Sequence, residues 1–378
     1  MQVLKTNSNK LFTEKDYIPL ELAGDIKELE LSDEACAYKI EHQDFVAQVP
    51  GAMTLGDLDR DLLEFGLYSR IWAPPGYSLS RILAENWGND LYKQVLGLEL
   101  MDINGIETKT GGKVIKNVSG YDLSKIYLGS RNALALIRHT CLKIEKKPEF
   151  QVEIIIQFDV DDVLKLINQQ SLSELYEIST SNFDETLEMS ILSKKLKEGL
   201  FNIELRLRLS ASEALLDLRA KKLLFKLQAF LKNKNIEIDF HDRLDFKKLP
   251  FQKKYPGDDL RIEFFTSLAN LANIYKKLLR AFGENIVVYP KYSRIDFYAG
   301  ALGLEDLAGQ INNILATDGL GPVYLRVFPI NALNLQLEKK LCIPINRFED
   351  EMIKKLKFNY DPYDLLNPGV FLGASKYA

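Results

Sequence analysis

The sequence has few of the residues on which several protein classes depend. Cysteine and histidine occur only three times each. The cysteines (Cys36, Cys141 and Cys342) are far apart and odd in number, so they predict reduced thiols rather than a disulfide framework. The histidines are equally scattered, without the paired spacing that metal ligands show. The sequence therefore predicts neither a disulfide scaffold nor a metal site.

A basic excess and a long apolar run are also missing. The net charge of -4 and the pI near 5.7 argue against a nucleic-acid-binding protein. No apolar run is long enough to cross a bilayer, and residues 1–10 lack the apolar core of a signal peptide. We therefore predict a cytoplasmic protein, or one held at the membrane periphery through a complex, with no nucleic-acid partner and no transmembrane segment.

The length and composition predict a globular protein of two domains. A chain of 378 residues is too long for one ordinary core, and 46% hydrophobic with 27% charged residues is typical of globular proteins. Residues 1–147 read as short strands and turns with few long helices, and Pro148 follows a charged stretch. The strand predictions there are Asp44–Val49, Val95–Met101 and Leu134–Ile144, and Leu55–Leu63 is predicted as a helix.

The hydrophobic pattern changes in residues 148–330, where it predicts strands that alternate with helices. The predicted helices are Asp161–Ile167, Ser212–Leu231, Leu268–Phe282 and Leu304–Leu315. The predicted strands are Gln151–Phe158, Asn202–Leu209, Ile236–Phe240, Leu260–Phe265, Ile286–Tyr289, Arg294–Tyr298 and Val323–Phe328. This order predicts an α+β domain with helices on one face of an antiparallel sheet. Residues 331–378 read as mixed helix and loop.

The run from Gly111 to Ser130, GGKVIKNVSGYDLSKIYLGS, combines paired glycines with a strand-to-helix change. Gly111 and Gly112 permit positive φ or close approach by a ligand. Val114 and Ile115 predict a short strand, followed by a polar turn. Asp122 is placed to cap a helix over residues 123–128, which Gly129 would end. Either a cofactor-contact loop or an ordinary loop–helix connection accounts for this pattern.

This string resembles the signature GG.V.KNV.GYD...L..GS of the FAD-linked oxidases with a PCMH-type (vanillyl-alcohol-oxidase-type) flavin domain, most closely the E subunit of glycolate oxidase. Two weaker matches flank it in the family order: Val49–Leu63, and the segment DPYDLLNPG at Asp361–Gly369. The resemblance implies a FAD-binding domain over residues 1–147, an α+β cap domain over 148–330, and a C-terminal segment, 331–378, that packs back on the first domain.

The resemblance also implies which residues contact FAD. They are Gly111, Gly112, Lys116, Asn117, Gly120, Tyr121, Asp122, Gly129, Ser130, Asn132, Ala133, Leu134 and Asn367. Some of these residues, Gly120, Tyr121 and Asp122 among them, could serve local folding as much as flavin contact.

Three loops depart from the family pattern. TNSNK at residues 6–10 stands where a glycine-rich loop is expected, and Ser80 and Arg81 replace a glycine pair within residues 78–90. In the third loop, residues 129–135, Asn132, Ala133 and Ala135 replace the family's Gly, Thr and Gly. If Ala133 and Ala135 need positive φ, each costs on the order of 1 kcal/mol.

For function, the resemblance implies oxidation of a small 2-hydroxy acid such as glycolate, with electrons passed through FAD to a partner. The implied partners are the flavin and iron–sulfur subunits of a glycolate-oxidase-like complex. Arg294, Tyr292, Tyr289 and His241 have suitable chemistry for an acid site, but no motif selects them, so no catalytic residue is predicted. The alternative is a flavin-free pseudo-enzyme of the same fold that acts as a structural or regulatory subunit.

Overall fold

A computed structural model gives the structure of the protein. It describes residues 10–11, 30–31, 38–71, 73–87, 91–102, 104–112, 122–147, 150–167, 188–197, 200–211, 218, 220–221, 225, 236–241, 260–283, 285–299, 304–316, 323–328, 337, 341, 347–361 and 366. The chain divides into two compact units. Unit 1 comprises Met1–Lys147, Ile330–Ala332 and Asn346–Ala378, and unit 2 comprises Pro148–Pro329 and Leu333–Ile345.

Unit 1 is built on a five-stranded antiparallel sheet. Two strand pairs flank it: β1 (Lys10–Leu11) with β2 (Glu30–Leu31), and β5 (Leu67–Tyr68) with β9 (Glu145–Lys146). The five strands of the sheet are β3 (Lys39–Glu41), β4 (Val46–Pro50), β6 (Val95–Met101), β7 (Glu107–Gly111) and β8 (Leu136–Lys143). Their spatial order is β3-β4-β8-β6-β7, so β8, which directly follows residues 129–135, lies at the centre of the sheet.

The helices of unit 1 are short. They are α1 (Leu55–Glu64), α2 (Leu79–Ala84), α3 (Leu91–Gln94) and α4 (Ser124–Tyr127). Helix α1 begins where the Thr54 side chain accepts a hydrogen bond from the Asp57 backbone, which satisfies one of the free amides of the first turn. Its Leu55, Leu58 and Leu62 recur at helical spacing and are buried.

Unit 2 contains an eight-stranded sheet in which all neighbouring strands are antiparallel. Its strands are β10 (Phe150–Phe158), β11 (Glu188–Lys197), β12 (Leu200–Ala211), β13 (Ile236–His241), β14 (Arg261–Thr266), β15 (Ile286–Tyr289), β16 (Arg294–Tyr298) and β17 (Val323–Phe328). Their order is β13-β10-β12-β11-β15-β16-β14-β17. Strands β14 and β16, which begin with RIEF and RIDF, are neighbours in this order.

Helices α5 (Val160–Ile167), α6 (Leu268–Phe282) and α7 (Leu304–Leu315) supply the helical side of the unit 2 core. Leu271, Ile274 and Leu278 of α6 share this core with Ile262 and Phe264 of β14. Because side chains alternate along a strand, Arg261 and Glu263 lie on the other face of the sheet. One face of the sheet is thus apolar, and the other carries buried charge.

The last helix, α8 (Arg347–Tyr360), belongs to unit 1 and precedes the DPYDLLNPG segment. Leu366 of that segment is buried against Met101 of β6 and Leu136 of β8. Among the described residues, no helix is long and apolar enough to span a membrane.

Most predicted elements of unit 2 are confirmed. Helices 268–282 and 304–315 and the strands 286–289, 294–298 and 323–328 have the predicted bounds. The helix predicted over 212–231 falls largely outside the described residues. Unit 1 differs from the prediction in two places. Ser78 caps the helix α2, which stands where the resemblance implies a glycine-rich loop, and strand β7 is not among the predicted elements.

The two glycines that open the signature have different surroundings. Gly111 has a φ of +73°, and a Cβ there would lie 2.2 Å from the Leu96 carbonyl oxygen. Its partner across the β6–β7 pair is Gly97, which is crowded in the same way. Gly112 has no described atom within 4 Å of the position that a Cβ would take. Gly111 therefore has a structural role in the sheet, whereas Gly112 leaves room for a ligand.

We predict that Gly111→Ala lowers the free energy of unfolding by about 2–4 kcal/mol, since it adds backbone strain to a backbone clash. Gly112→Ala is the matched control and should change it by less than about 0.5 kcal/mol. Chemical denaturation of the two variants measures both values. Equal destabilisation would contradict the separate roles of the two glycines.

Candidate flavin loops and a charged sheet face

Helix α2 occupies the second of the three loops that the resemblance assigns to FAD. The Ser78 side chain accepts a hydrogen bond from the Arg81 backbone and so caps the helix. The Leu79 and Ser80 amides donate to the Met53 and Gly51 carbonyls at 2.9 and 2.8 Å. These backbone donors are therefore used within the protein.

A cluster of four side chains surrounds α2, and we call it the Arg81 cluster: Tyr77, Arg81, Glu85 and Trp87. The Arg81 guanidinium lies 3.7 Å from the centre of the Tyr77 ring, and its Nε is 3.1 Å from Glu85 Oε1. The Trp87 ring nitrogen donates to the other carboxylate oxygen of Glu85. The charge of Arg81 is thus already balanced by a carboxylate inside the protein.

Glu85 itself is deeply buried. Burial raises the pKa of Glu85, and this effect outweighs the attraction of Arg81 and the hydrogen bond from Trp87. An ionised Glu85 would repel a phosphate group brought near it. The Arg81 cluster is therefore the feature of this region that least favours a dinucleotide.

The third loop, residues 129–135, is hydrogen-bonded to the end of α2. The Gly129 and Arg131 amides donate to the Leu83 and Ala84 carbonyls at 3.0 and 2.8 Å. Helix ends leave carbonyls without helical partners, and here the loop supplies the donors. The conformation of the third loop is therefore tied to that of α2.

Positive φ values in the third loop do not fall where the sequence comparison suggested. Gly129, Arg131 and Asn132 have φ values of +81°, +55° and +54°. Ala133 and Ala135 are not among the described residues with positive φ. The strain considered for the two alanines is therefore absent, and Asn132 adopts the left-handed conformation that asparagine tolerates better than most residues.

Two buried polar atoms in these loops have no hydrogen-bond partner among the described residues: Ser80 Oγ and Asn132 Oδ1. Ser80 is 1% exposed and Asn132 is 5% exposed. Buried polar groups are nearly always paired, and an unpaired one costs about 1–3 kcal/mol. Both atoms stand at positions that the resemblance assigns to flavin loops, and both can hydrogen-bond a polar cofactor.

The other predicted contact residues lie partly in the third loop, partly at the start of α4 and partly outside the described residues. Ser130, Ala133 and Leu134 lie in the third loop and are buried. Asp122 accepts a hydrogen bond from the Ser124 backbone, but α4 begins at Ser124 and ends at Tyr127, so the predicted helix 123–128 is too long and Asp122 is not its N-cap residue. The signature residues 113–121, the TNSNK loop and Asn367 lie outside the described residues.

The second candidate region is the charged face of the unit 2 sheet. We call it the arginine cluster: Arg261, Glu263, Arg294, Asp296 and Arg326. Glu263 and Asp296 lie directly opposite each other on β14 and β16. Arg326 Nη2 lies 2.7 Å from Glu263 Oε2, and Arg294 Nε lies 2.8 Å from Asp296 Oδ1. Arg261 lies 3.0 Å from Glu263 and 3.9 Å from Asp296.

The arginine cluster shifts the pKa values of its two acids in opposite directions. Burial and the neighbouring Glu263 raise the pKa of Asp296 to about 6, although Arg294 opposes the shift. Burial also acts on Glu263, but Arg326, Arg261 and Arg294 outweigh it and hold the pKa of Glu263 below its ordinary value. Three guanidinium groups surround two carboxylates, so these five side chains carry a net positive charge when both acids are ionised.

Two tyrosines border the arginine cluster. Burial raises the pKa of Tyr298 to about 12 and the pKa of Tyr289 well above its ordinary value. Both hydroxyls therefore stay protonated at neutral pH. Arg294 lies 4.5 Å from the centre of the Tyr289 ring.

Of the residues with suitable acid-site chemistry, Arg294 and Tyr289 come together here, and Tyr292 packs against Tyr289. His241 ends the edge strand β13. Sequence reasoning missed Arg261, Glu263, Asp296 and Arg326. The repeated pattern RIEF and RIDF on two predicted strands could have indicated two adjacent charged pairs.

Comparisons with known proteins support a flavoenzyme resemblance. No protein-family model matches the chain. The chain is 30% identical over 135 residues to the glycolate oxidase subunit GlcD of Bacillus subtilis, a match that covers 32% of this chain and 28% of the relative. It is 27% identical over 101 residues to the glycolate oxidase subunit GlcE of Escherichia coli, over 27% of this chain and 29% of the relative.

An FAD-linked oxidoreductase of Mycobacterium tuberculosis is 27% identical over 160 residues, covering 39% of this chain and 34% of the relative. The resemblance to FAD-linked oxidases is confirmed. The matches span about a third or less of the length of these curated relatives.

A solved structure extends the similarity to the fold. Alkyldihydroxyacetonephosphate synthase superposes with a TM-score of 0.54 at 14% identity, covering 87% of this chain and 64% of that chain. At this identity the likeness concerns the fold alone. The mixture of helices and antiparallel sheets is thus shared with a solved structure.

The pKa of Asp296 generates a prediction about pH. Because the folded protein holds the Asp296 proton more tightly than the unfolded chain, protonation stabilises the fold below about pH 4. That contribution is lost as the pH rises through about 6. The stability of the wild type relative to Asp296→Asn should therefore fall by on the order of 2–3 kcal/mol between pH 4 and 7. Urea unfolding at several pH values measures this difference, and a difference that does not vary with pH would contradict it.

Proposed function

We propose that this chain is an FAD-binding oxidoreductase subunit that oxidises, or helps to oxidise, a small 2-hydroxy acid such as glycolate. The observation that carries the proposal is a pair of buried polar atoms, Ser80 Oγ and Asn132 Oδ1, that have no hydrogen-bond partner within the described part of the chain. They lie in two loops that the resemblance assigns to the flavin. Relatives named as FAD-linked and as glycolate oxidase subunits support the same cofactor and substrate class.

The residues that would hold FAD lie in unit 1. Ser80 Oγ can donate a hydrogen bond to a cofactor oxygen, and Asn132 Oδ1 can accept one from a cofactor N–H or hydroxyl. Gly112 leaves space for close approach. Lys116, Asn117, Gly120, Tyr121 and Asn367 enter the proposal through the family signature. FAD, when bound, supplies the capacity to accept the electrons of the oxidation.

The substrate class rests on the relatives and on the resemblance. The arginine cluster of unit 2 is a buried network in which all three guanidinium groups already pair with Glu263 or Asp296, so we assign no substrate contact to it.

The proposed electron partners rest on the resemblance to glycolate oxidase. Two of them are named as subunits of glycolate oxidase, which supports a role in a complex of several chains. We propose that a second flavin subunit and an iron–sulfur subunit associate with this chain and accept electrons from it.

One observation favours the alternative, a flavin-free subunit of the same fold. The Arg81 cluster places a buried carboxylate where the resemblance implies a glycine loop, and the amides of Ser80, Gly129 and Arg131 already donate to protein carbonyls. Such a chain would keep the fold as a structural or regulatory partner of an active flavin subunit.

The visible absorption spectrum of the purified chain, followed by acid release of any bound flavin, separates the two functions. The first predicts near-stoichiometric FAD and bleaching of the flavin when glycolate or lactate is added without oxygen. A colourless protein that takes up no added FAD would contradict it and support the flavin-free subunit.

Ser80→Ala tests the contact more sharply, because it should change stability and affinity in opposite directions. Removal of a buried, unpartnered hydroxyl should raise the free energy of unfolding of the FAD-free chain by about 1 kcal/mol. Loss of the proposed contact should weaken FAD binding about fivefold, by a similar energy. Fluorescence titration with FAD and urea unfolding give the two values.

Ser69→Ala is the matched control, since Ser69 is equally buried but donates to Asp59 at 3.2 Å. It should lower stability and leave the FAD affinity unchanged. Wild-type affinity in Ser80→Ala would remove Ser80 from the cofactor site.

A further inference from the structure

A buried ion pair near the C-terminus binds the backbone of a third residue as well as joining its own two side chains. Lys357 of α8 and Asp361, which follows the helix, are both 0% exposed, and Lys357 Nζ lies 2.5 Å from Asp361 Oδ2. The ammonium group also donates to the Leu366 carbonyl oxygen. The same Asp361 oxygen accepts a hydrogen bond from the Leu366 amide at 2.7 Å.

These contacts close a ring of three hydrogen bonds around one residue, Leu366. Both the N–H and the C=O of Leu366 are held by charged groups, and such hydrogen bonds are roughly twice as strong as neutral ones. The orientation of the backbone at Leu366 is therefore fixed on both sides. We call this arrangement the Lys357 clamp, formed by Lys357, Asp361 and the backbone of Leu366.

A buried ion pair generally stabilises a fold no more than well-packed apolar residues would. Its desolvation often cancels the attraction, and apolar residues of similar volume do as well or better. Orientation is what apolar residues could not supply here, because they would neither donate to the Leu366 carbonyl nor accept from its amide. The geometry of the clamp thus favours a role in positioning.

The clamp connects to the candidate flavin loops through one side chain. Leu366 is buried against Met101 at the end of β6 and Leu136 at the start of β8. Leu136 directly follows the loop 129–135, and Leu366 directly precedes Asn367 in the sequence. The clamp therefore fixes a side chain that packs at the end of the loop 129–135, which the proposed function assigns to FAD.

We propose that Lys357 and Asp361 are positioning residues for the FAD site: they orient Leu366, pack it against Leu136, and so set the end of the loop 129–135. This inference rests on the proposed function. It gives a role to Lys357, which no motif includes, and to Asp361, which opens the DPYDLLNPG segment. Both residues act without touching the cofactor.

The test replaces both charged groups at once. In Lys357→Met/Asp361→Leu the charges go together, so no uncompensated buried charge remains. The free energy of unfolding should fall by about 1–3 kcal/mol for each backbone group of Leu366 that loses its partner. The backbone of Leu366 loses both hydrogen bonds, so the FAD dissociation constant should rise about tenfold, which corresponds to about 1.4 kcal/mol. Flavin fluorescence titration gives the affinity, and thermal unfolding of the FAD-free chain gives the stability.

Two further variants keep the test decisive. Lys355→Met, at an exposed position of the same helix, is the matched control and should bind FAD like the wild type. Leu366→Ala keeps the clamp but removes the contact with Leu136, and it should also weaken FAD binding by severalfold. It provides the second measurement if the double variant does not fold.

The outcomes separate the two proposals. Weakened FAD binding in the folded double variant, with wild-type binding in Lys355→Met, supports positioning. Wild-type FAD affinity in the folded double variant, or in Leu366→Ala, would overturn the clamp's role and leave the proposed function intact. A wild-type chain that binds no FAD would overturn the proposed function and the positioning role with it.

Discussion

The hydrogen bonds from Gly129 and Arg131 to the last turn of α2 are the interaction on which the candidate cofactor site depends. They supply donors to the Leu83 and Ala84 carbonyls at the end of the helix, and the Leu83 carbonyl also accepts from the Asn86 amide at 3.1 Å. As a result, the second and third loops form one structural unit. The helix at residues 79–84 and the left-handed turn at Arg131 and Asn132 are two parts of one arrangement.

Buried charge is the second constraint, and each unit manages it differently. In unit 1 the Arg81 cluster neutralises itself, with Glu85 held between Arg81 and Trp87. In unit 2 the arginine cluster holds three guanidinium groups against two carboxylates. In both clusters the buried guanidinium groups are paired with carboxylates of the protein itself.

Much of unit 2 could be predicted from the sequence because its periodicity is strong. The leucines of 268–282, the apolar run at 286–289 and the alternation in 294–298 gave the observed bounds. Periodicity could not show that Arg261, Arg294 and Arg326 meet, because that depends on the order β16-β14-β17. In unit 1 the resemblance identified the loops but not their conformation. Ser80 and Arg81 allow a helix that a glycine pair would disfavour, and the resemblance alone implied a loop.

The central claim is that FAD binds at α2 and the loop 129–135, and amide hydrogen exchange with and without FAD tests it most directly. The account predicts slower exchange in residues 78–87 and 129–135 when FAD is present at saturating concentration. Residues 268–282 of α6, in the core of unit 2, serve as the internal reference and should not change. Unchanged exchange in both loop segments, with FAD bound to the chain, would contradict the account and place the cofactor elsewhere.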